Sequence, residues 1–181
     1  MKTNETRELM TAYHEAGHAV AQYRLFPEGR WVDGVSIERK DDGTLGRHTS
    51  KELFPHPDDD PAMVREQYEN EVLCLCAGYA GTVAMGYGDE EARGGCWGDF
   101  DAAEETVQGW ATAPLEEQLK RAVQFMRRPE NKNAVERVGN ELLEHGTLDC
   151  DELEIVIEVV DGKSTEEDLA QYRALRDAAR T

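Results

Sequence analysis

The first element that the sequence predicts is a long amphipathic helix near the start of the chain. Between about Asn4 and Leu25, apolar residues recur every three or four positions, which is the spacing of one buried helical face. The stripe consists of Leu9, Tyr13, Ala16, Val20 and Tyr23. Phe26-Pro27 should end this helix, because the residue before a proline disfavours helical backbone.

Alternation of apolar and polar residues then predicts a β-hairpin. The segments WVDGVSIER and TLGRHTS flank Lys40-Asp41-Asp42-Gly43, and an Asp-Gly pair favours the backbone angles of a tight turn. The result would be one small sheet beside the first helix. We expect its free edge to accept an extended peptide as a further strand.

Helical spacing returns after the hairpin. Asp60-Pro61 predicts the start of a second long helix, since aspartate caps a helix and proline suits its first turn. This helix should run from Ala62 to about Met85. Its small residues would allow a neighbouring helix to approach closely, and they are Ala77, Gly78, Ala80 and Gly81.

A glycine-rich stretch from Gly86 to Gly98 predicts an irregular loop of the kind that carries functional groups on a rigid scaffold. Further helices should follow from Asp99 onwards, with breaks at Ala113-Pro114 and Arg128-Pro129. Gly146 should end one of these helices as its C-cap. Two capping boxes, Asp149 with Glu152 and Ser164 with Glu167, predict the starts of the last two helices.

Length and composition place these elements in one domain spanning 1–181, mainly α (α+β) with a single small β-hairpin sheet. Acidic residues outnumber basic ones by 38 to 20, which gives a net charge of −18 and disfavours nucleic acid and anionic membranes as partners. No apolar run approaches the roughly 20 residues of a membrane span, and the chain does not start with a signal-peptide pattern. We therefore expect a cytoplasmic protein.

The four cysteines do not form a C-x-x-C pair, so they predict buried thiols rather than a cysteine-based zinc site. Two residues near the glycine-rich stretch have more than one interpretation. Cys96 could coordinate or inhibit a metal, although packing is the commoner role of a cysteine. Trp97 could wall a pocket, although tryptophan more often packs in the core or at its rim.

The chemistry of the chain is concentrated in TAYHEAGHAV, residues 11–20. His14 and His18 are four residues apart, so a helix places them on one face where they could share one ion. Glu15 lies beside that face. The pattern His-Glu-x-x-His supplies two imidazole ligands and a carboxylate general base in zinc hydrolases.

With this order of elements, the chain resembles the protease domain of the FtsH-type ATP-dependent zinc metalloproteases. TAYHEAGHAV is similar to the zinc helix of that family, and VSIERKDDGTLGRHT is similar to the hairpin that follows it. LCLCAGYAGTVAMGYG matches the second long helix in position, and GGCWGDFDAAEETV resembles the loop and helix that carry a third ligand. LLEHGTLDCDELEIVI is similar to the closing pair of helices. The likeness runs over about 7–160, leaving 161–181 as a charged C-terminal helix.

The resemblance implies a helical, zincin-like fold and a Zn²⁺ ion held by His14, His18 and Asp99, with Glu15 as general base. It also implies an endopeptidase that uses metal-activated water. Because the resemblance covers the protease domain alone, we expect ATP-independent cleavage of flexible or unfolded polypeptides. The second helix departs from the family pattern because it lacks the usual arginine and paired glutamates after its glycine; Tyr79, Ala80, Thr82 and Val83 stand there instead.

Other interpretations remain open at the level of sequence. Asp101 is the nearest rival to Asp99 as third ligand, and Glu104 and Glu105 are weaker candidates. The domain could instead be a non-catalytic, zinc-containing module that binds a protein partner. A metal-free helical relic of a protease is a third hypothesis.

Overall fold

The computed structural model describes residues 4–26, 34–39, 45–48, 60–110 and 113–179. The helices in these ranges are α1 (Asn4–Leu25), α2 (Pro61–Ala84), α3 (Asp89–Arg93), α4 (Trp97–Trp110), α5 (Leu115–Met126), α6 (Pro129–His145), α7 (Cys150–Val160) and α8 (Glu166–Ala179). The strands are β1 (Gly34–Arg39), β2 (Leu45–His48) and β3 (Thr147–Asp149). The predicted class, mainly helical with one small antiparallel sheet, is confirmed.

The sheet has three strands in the order β2-β1-β3, one more than the hairpin that the sequence predicts. Both pairings are antiparallel, with Val35 opposite His48 on one side and Leu148 on the other. Of the two edges that an isolated hairpin would leave free, the one on β1 is therefore occupied by β3. Three residues are too few to show the alternation by which a strand is recognised. The predicted turn at residues 40–43 lies outside the described residues.

Two long helices, α1 and α2, pack so closely that glycine is required between them. A Cβ atom on Gly81 would lie 2.9 Å from the Cα atom of Gly17 and 2.9 Å from the carbonyl oxygen of Tyr13. The small residues of α2 thus allow the close approach that the sequence predicts. Because backbone meets backbone here, the histidines of α1 lie directly over α2.

The core forms where α1 packs against α2 and α6, with α7 adding its apolar face. Val20, Val72, Leu142 and Leu153 are each fully excluded from solvent. Complete burial of such side chains stabilises the fold by about 1.5–3 kcal/mol each relative to exposure. In the described ranges, no helix combines the length and the apolar character that crossing a bilayer requires.

Several predicted helix ends are confirmed. The Asp60 side chain accepts a hydrogen bond from the amide of Ala62, and that of Asp149 accepts one from the amide of Glu152. Gly146 ends α6 with φ of +75°, a backbone angle that favours glycine. The predicted box at Ser164 and Glu167 is wrong by one residue.

At the start of α8, Thr165 and Asp168 form the reciprocal pair. The amide of Thr165 donates to Asp168 Oδ2 over 2.8 Å, and the amide of Asp168 donates to Thr165 Oγ1 over 3.2 Å. Ser164 instead donates its hydroxyl to Glu158. Both registers fit the sequence pattern, and only the packing of the preceding turn selects one of them.

The segment expected to be an irregular glycine loop contains the short helix α3, and α4 begins at Trp97 rather than at Asp99. Arg93 at the end of α3 forms an ion pair with Glu116 of α5 at 3.1 Å and lies 5.3 Å from the ring centroid of Tyr79. These tertiary contacts hold a helix too short to be stable alone. As a result, the segment that leads into Asp99 is held through Arg93 by contacts with both α5 and α2.

Candidate metal centre

His14 and His18 project from the same face of α1, as their spacing requires. Their Nε2 atoms are 3.1 Å apart, and the two rings meet edge to face with centroids 4.7 Å apart. The side chain of His18 is only 8% exposed, whereas that of His14 is 17% exposed. One imidazole is thus enclosed, and the other borders solvent.

Asp99 approaches the two imidazoles from the first turn of α4. Its Oδ2 atom lies 3.2 Å from Nε2 of His14 and 3.4 Å from Nε2 of His18. The rivals Asp101, Glu104 and Glu105 are exposed further along α4. Within the described residues, none of those three carboxylates forms an ion pair with either histidine. The structure therefore brings Asp99, and not its neighbours, to the imidazole pair.

The three converging atoms have the spacing that a tetrahedral ion needs. A zinc ion with bonds of about 2.0–2.1 Å places neighbouring ligand atoms about 3.3–3.4 Å apart in a tetrahedron. The three separations, between Nε2 of His14, Nε2 of His18 and Oδ2 of Asp99, are 3.1, 3.2 and 3.4 Å. Two imidazoles and a carboxylate are also donor groups that Zn²⁺ accepts, so these residues fit the ion.

The ring nitrogens that face away from this triangle have partners of their own. Nδ1 of His18 donates to the carbonyl oxygen of Cys74 over 2.8 Å. In the neutral imidazole this places the lone pair on Nε2, the atom that would bind a metal ion. Nδ1 of His14 lies 3.7 Å from Sγ of Cys96. Sequence reasoning missed the Cys74 contact because a backbone carbonyl has no signature in a residue pattern.

Cys96 gives the site a second possible ligand set. Ligand atoms of His14, Cys96 and Asp99 all lie within 4.8 Å of one another, so this group could hold a metal ion. Metal coordination was one of the two roles that the sequence left open for Cys96. However, the Cys96 thiol is fully buried and donates to the carbonyl oxygen of Ala92 over 3.0 Å. Burial and the nearby Asp99 charge raise its pKa to about 12, so the neutral thiol is strongly favoured in the metal-free protein.

The charges of the metal-free cluster are set by burial and by the shared carboxylate. Burial lowers the pKa of His14. It would lower that of His18 too, but hydrogen bonding to Asp99 and the charges of Asp99 and Glu15 outweigh it, so this pKa is raised. Burial would raise the pKa of Asp99, but hydrogen bonds from both histidines lower it overall. Asp99 is thus held as a carboxylate, the form that binds cations.

Glu15 lies next to the cluster and shares its cleft. The residue is 6% exposed, and burial raises its pKa to about 7. The cleft has a volume of about 420 Å³, and its walls include His14, Glu15 and Thr82 together with Gly94 and Gly95. A candidate base and a candidate ligand therefore face one space that is large enough for a short stretch of peptide.

The other tryptophans and histidines of the chain lie away from this cluster or outside the described residues. Trp97 is 75% exposed and does not line this cleft, so the expectation of packing is wrong for this tryptophan. The side chains of Trp31 and Trp110 and residue His56 lie outside the described parts. His145 is in the last turn of α6, 3.4 Å from Glu141, and has no part in the cluster.

In comparisons with known proteins, no family model and no curated protein matches the chain.

Proposed function

We propose that this protein is a zinc-dependent metallopeptidase, an endopeptidase of FtsH-like, zincin-like type that cleaves flexible or unfolded polypeptides. The observation that carries the proposal is the triangle formed by Nε2 of His14, Nε2 of His18 and Oδ2 of Asp99, with sides of 3.1–3.4 Å. These residues are the proposed metal ligands. When bound there, zinc supplies the Lewis acidity that polarises a scissile carbonyl and makes water acidic enough to lose a proton near neutral pH.

The proposed ligands are oriented by the chain before any ion arrives. The Cys74 carbonyl fixes the His18 ring, and α2 lies beneath both imidazoles. Contacts of this outer kind typically contribute about 10- to 100-fold to metal affinity. When both imidazoles are neutral, as metal binding requires, Asp99 adds one negative charge and makes the centre attractive to a divalent cation.

Glu15 is the proposed general base. Its carboxylate accepts a proton from water as the oxygen of that water bonds to the peptide carbonyl carbon, and it returns the proton to the amide nitrogen as the C–N bond breaks. In the metal-free protein, burial raises the pKa of this carboxyl to about 7, so it exchanges a proton near neutral pH before a metal binds. Burial keeps this carboxylate away from bulk water, which favours transfer to the reacting atoms.

The decisive experiment compares Glu15→Gln with Glu8→Gln on the same helix, since Glu8 is exposed and lies outside the cleft. Zinc-loaded proteins are incubated with fluorescein-labelled casein, an unstructured substrate, with and without a chelator. We expect Glu15→Gln to retain about one zinc per chain but to lose at least about 100-fold in cleavage rate, as befits a lost general base. Equal activity of the two variants would refute the proposal.

One observation favours a second candidate, a non-catalytic zinc-containing module that binds proteins. Trp97 presents an indole that is 75% exposed only two residues before Asp99, and exposed aromatic side chains are frequent at protein interfaces. In this alternative the wild-type protein binds zinc but leaves casein intact. Robust cleavage that a chelator abolishes would exclude it.

A further inference from the structure

The cleft that reaches His14 and Glu15 is also lined by a positively charged side chain, that of Arg7. Arg7, Met10, Thr11 and His14 line one wall, and they follow one another at helical spacing along a single face of α1. Arg7 and His14 are seven positions apart, which is about 10 Å along a helix axis at about 1.5 Å per residue. An extended peptide covers that distance in about three residues.

Arg7 differs from most arginines in the described ranges because it has no carboxylate partner there. Arg24, Arg93 and Arg173 are each held by carboxylates at 2.5–3.1 Å. By contrast, no carboxylate in the described ranges forms an ion pair with the Arg7 guanidinium, and the hydrogen bond from the Thr11 hydroxyl is accepted by the backbone carbonyl of Arg7, not by its side chain. In a chain with 38 acidic residues, an exposed guanidinium that lines a cleft without an acidic partner is available to a ligand.

The opposite wall leaves room for such a ligand. It includes Glu91, but Oε2 of this residue lies 3.4 Å from the Gly88 amide and accepts from it, within the first turn of α3. Gly94 and Gly95 complete the wall, and a Cβ atom added to Gly95 would meet nothing within 4 Å. A chain lying along α1 would therefore pass between Glu91, Ala92 and the two glycines on one side and Arg7, Thr11 and His14 on the other.

We infer that Arg7 is a specificity-determining residue that binds a carboxylate of the substrate about three residues from the bond that is cleaved. A guanidinium recognises a carboxylate through two parallel hydrogen bonds, which adds direction to charge. The carboxylate comes from a glutamate or aspartate side chain or from the C-terminus of the peptide. This inference rests on the proposed function for the identity of the ligand, a peptide, and for the register along the cleft.

The test measures peptide binding to the zinc-loaded Glu15→Gln protein, in which cleavage is blocked. The probes are fluorescein-labelled, acetylated and amidated decapeptides of neutral residues, in which one scanned position is Glu, Gln or Lys. We expect Glu at one position to bind about tenfold more tightly than Gln, and Arg7→Glu to reverse this order in favour of Lys. Arg7→Lys should keep the preference for Glu at reduced strength. Arg127→Glu, exposed at the end of α5 and outside the cleft, should leave the wild-type order unchanged.

A further arm separates the two sources of the carboxylate. Decapeptides that lack acidic side chains are compared with free and with amidated C-termini, and tighter binding of the free form alone assigns the subsite to a chain terminus. An unchanged ranking of Glu, Gln and Lys peptides in Arg7→Glu, together with no effect of the C-terminus, would overturn the inference. Circular dichroism of each variant, which should match that of the parent, excludes unfolding as the cause.

Failure of this inference and failure of the proposed function give different results. If the charge preference follows Arg7 but the protein with intact Glu15 cleaves none of the probes, the peptidase proposal fails and the subsite stands. If the wild-type protein cleaves the probes in a chelator-sensitive manner with no dependence on the charge at residue 7, the subsite fails and the peptidase stands.

Discussion

Gly78 of α2 lies directly beneath the imidazole of His14, so close that a Cβ atom on Gly78 would be 2.5 Å from Cε1 of that ring. The same atom would be 2.5 Å from Nε2 of His18. No real side chain tolerates such a distance. The second helix therefore forms the floor of the candidate metal centre, and the absence of a side chain at this position is what lets the two rings meet.

Gly78→Ala should accordingly weaken metal binding. The added methyl group pushes both imidazoles out of the positions that face Asp99, and we expect the affinity for Zn²⁺ to fall at least about tenfold, in the range of contacts that orient ligands. Calorimetric titration with zinc measures the effect. Gly109→Ala, also within a helix but with nothing within 4 Å of the new Cβ atom, is the control and should bind zinc as the wild type does. Equal affinities for the two variants would show that the floor has no role in the site.

The cysteines give a prediction about reactivity. Cys76 and Cys96 are fully buried, and burial raises the pKa of each thiol to about 12, so both thiols stay protonated at pH 9. We expect a thiol-specific disulfide reagent to modify at most Cys150 quickly in the native protein, and all four cysteines in guanidinium chloride. Raising the pH from 7 to 9 should add no second fast thiol. Two or more fast thiols in the native state would contradict the burial of this region.

The end of α7 provides a test of pH dependence. Arg24 donates two hydrogen bonds of 2.5 and 2.6 Å to Asp161, and this contact with Arg24 lowers the pKa of Asp161. Asp161→Asn should lower the free energy of unfolding at pH 7 by about 2 kcal/mol, within the range for hydrogen bonds to charged groups. A carboxyl with a lowered folded pKa contributes stability above its unfolded pKa of about 3.9.

This contribution is lost as the pH falls through the folded pKa. The difference between wild type and Asp161→Asn should therefore be constant from pH 7 to pH 5 and shrink at pH 3, as followed by urea unfolding. Asp177→Asn, at a carboxylate that is 68% exposed, should change stability by less than about 0.5 kcal/mol throughout. A difference that grows towards pH 3 would contradict the assignment.

Local patterns were sufficient to predict most of the fold. The apolar stripe of α1, the Asp60 cap of α2 and the Gly146 end of α6 each depend on residues within one or two turns. The strand β3 and the helix α3 do not, because each is a few residues long and is held by partners far away in the chain. Arg93 is one such case, since Glu116 and Tyr79 hold its short helix.

The candidate site divides in the same way. The pair His14 and His18 follows from helical spacing alone, whereas the approach of Asp99 was expected only through resemblance to a protease family. No local rule brings a residue 81 positions away from His18 to within 3.4 Å of its ring. The sequence predicts Gly78 only as a small residue at a helix contact. Its position beneath the two imidazoles, and the hydrogen bond accepted by the Cys74 carbonyl, depend on neighbours that are present only in the folded chain.

The proposed metal centre is defined by the carboxylate that completes it. Competition titration with a chromophoric zinc chelator gives the zinc affinity of the wild type, of Asp99→Ala and of Asp101→Ala, two changes on the same helix. We expect Asp99→Ala to lose more than the about 10- to 100-fold that outer contacts contribute. Asp101, which is exposed, should be replaceable with less than about a threefold change in affinity. If Asp101→Ala weakens zinc binding as much as Asp99→Ala does, or more, the proposed centre is wrong.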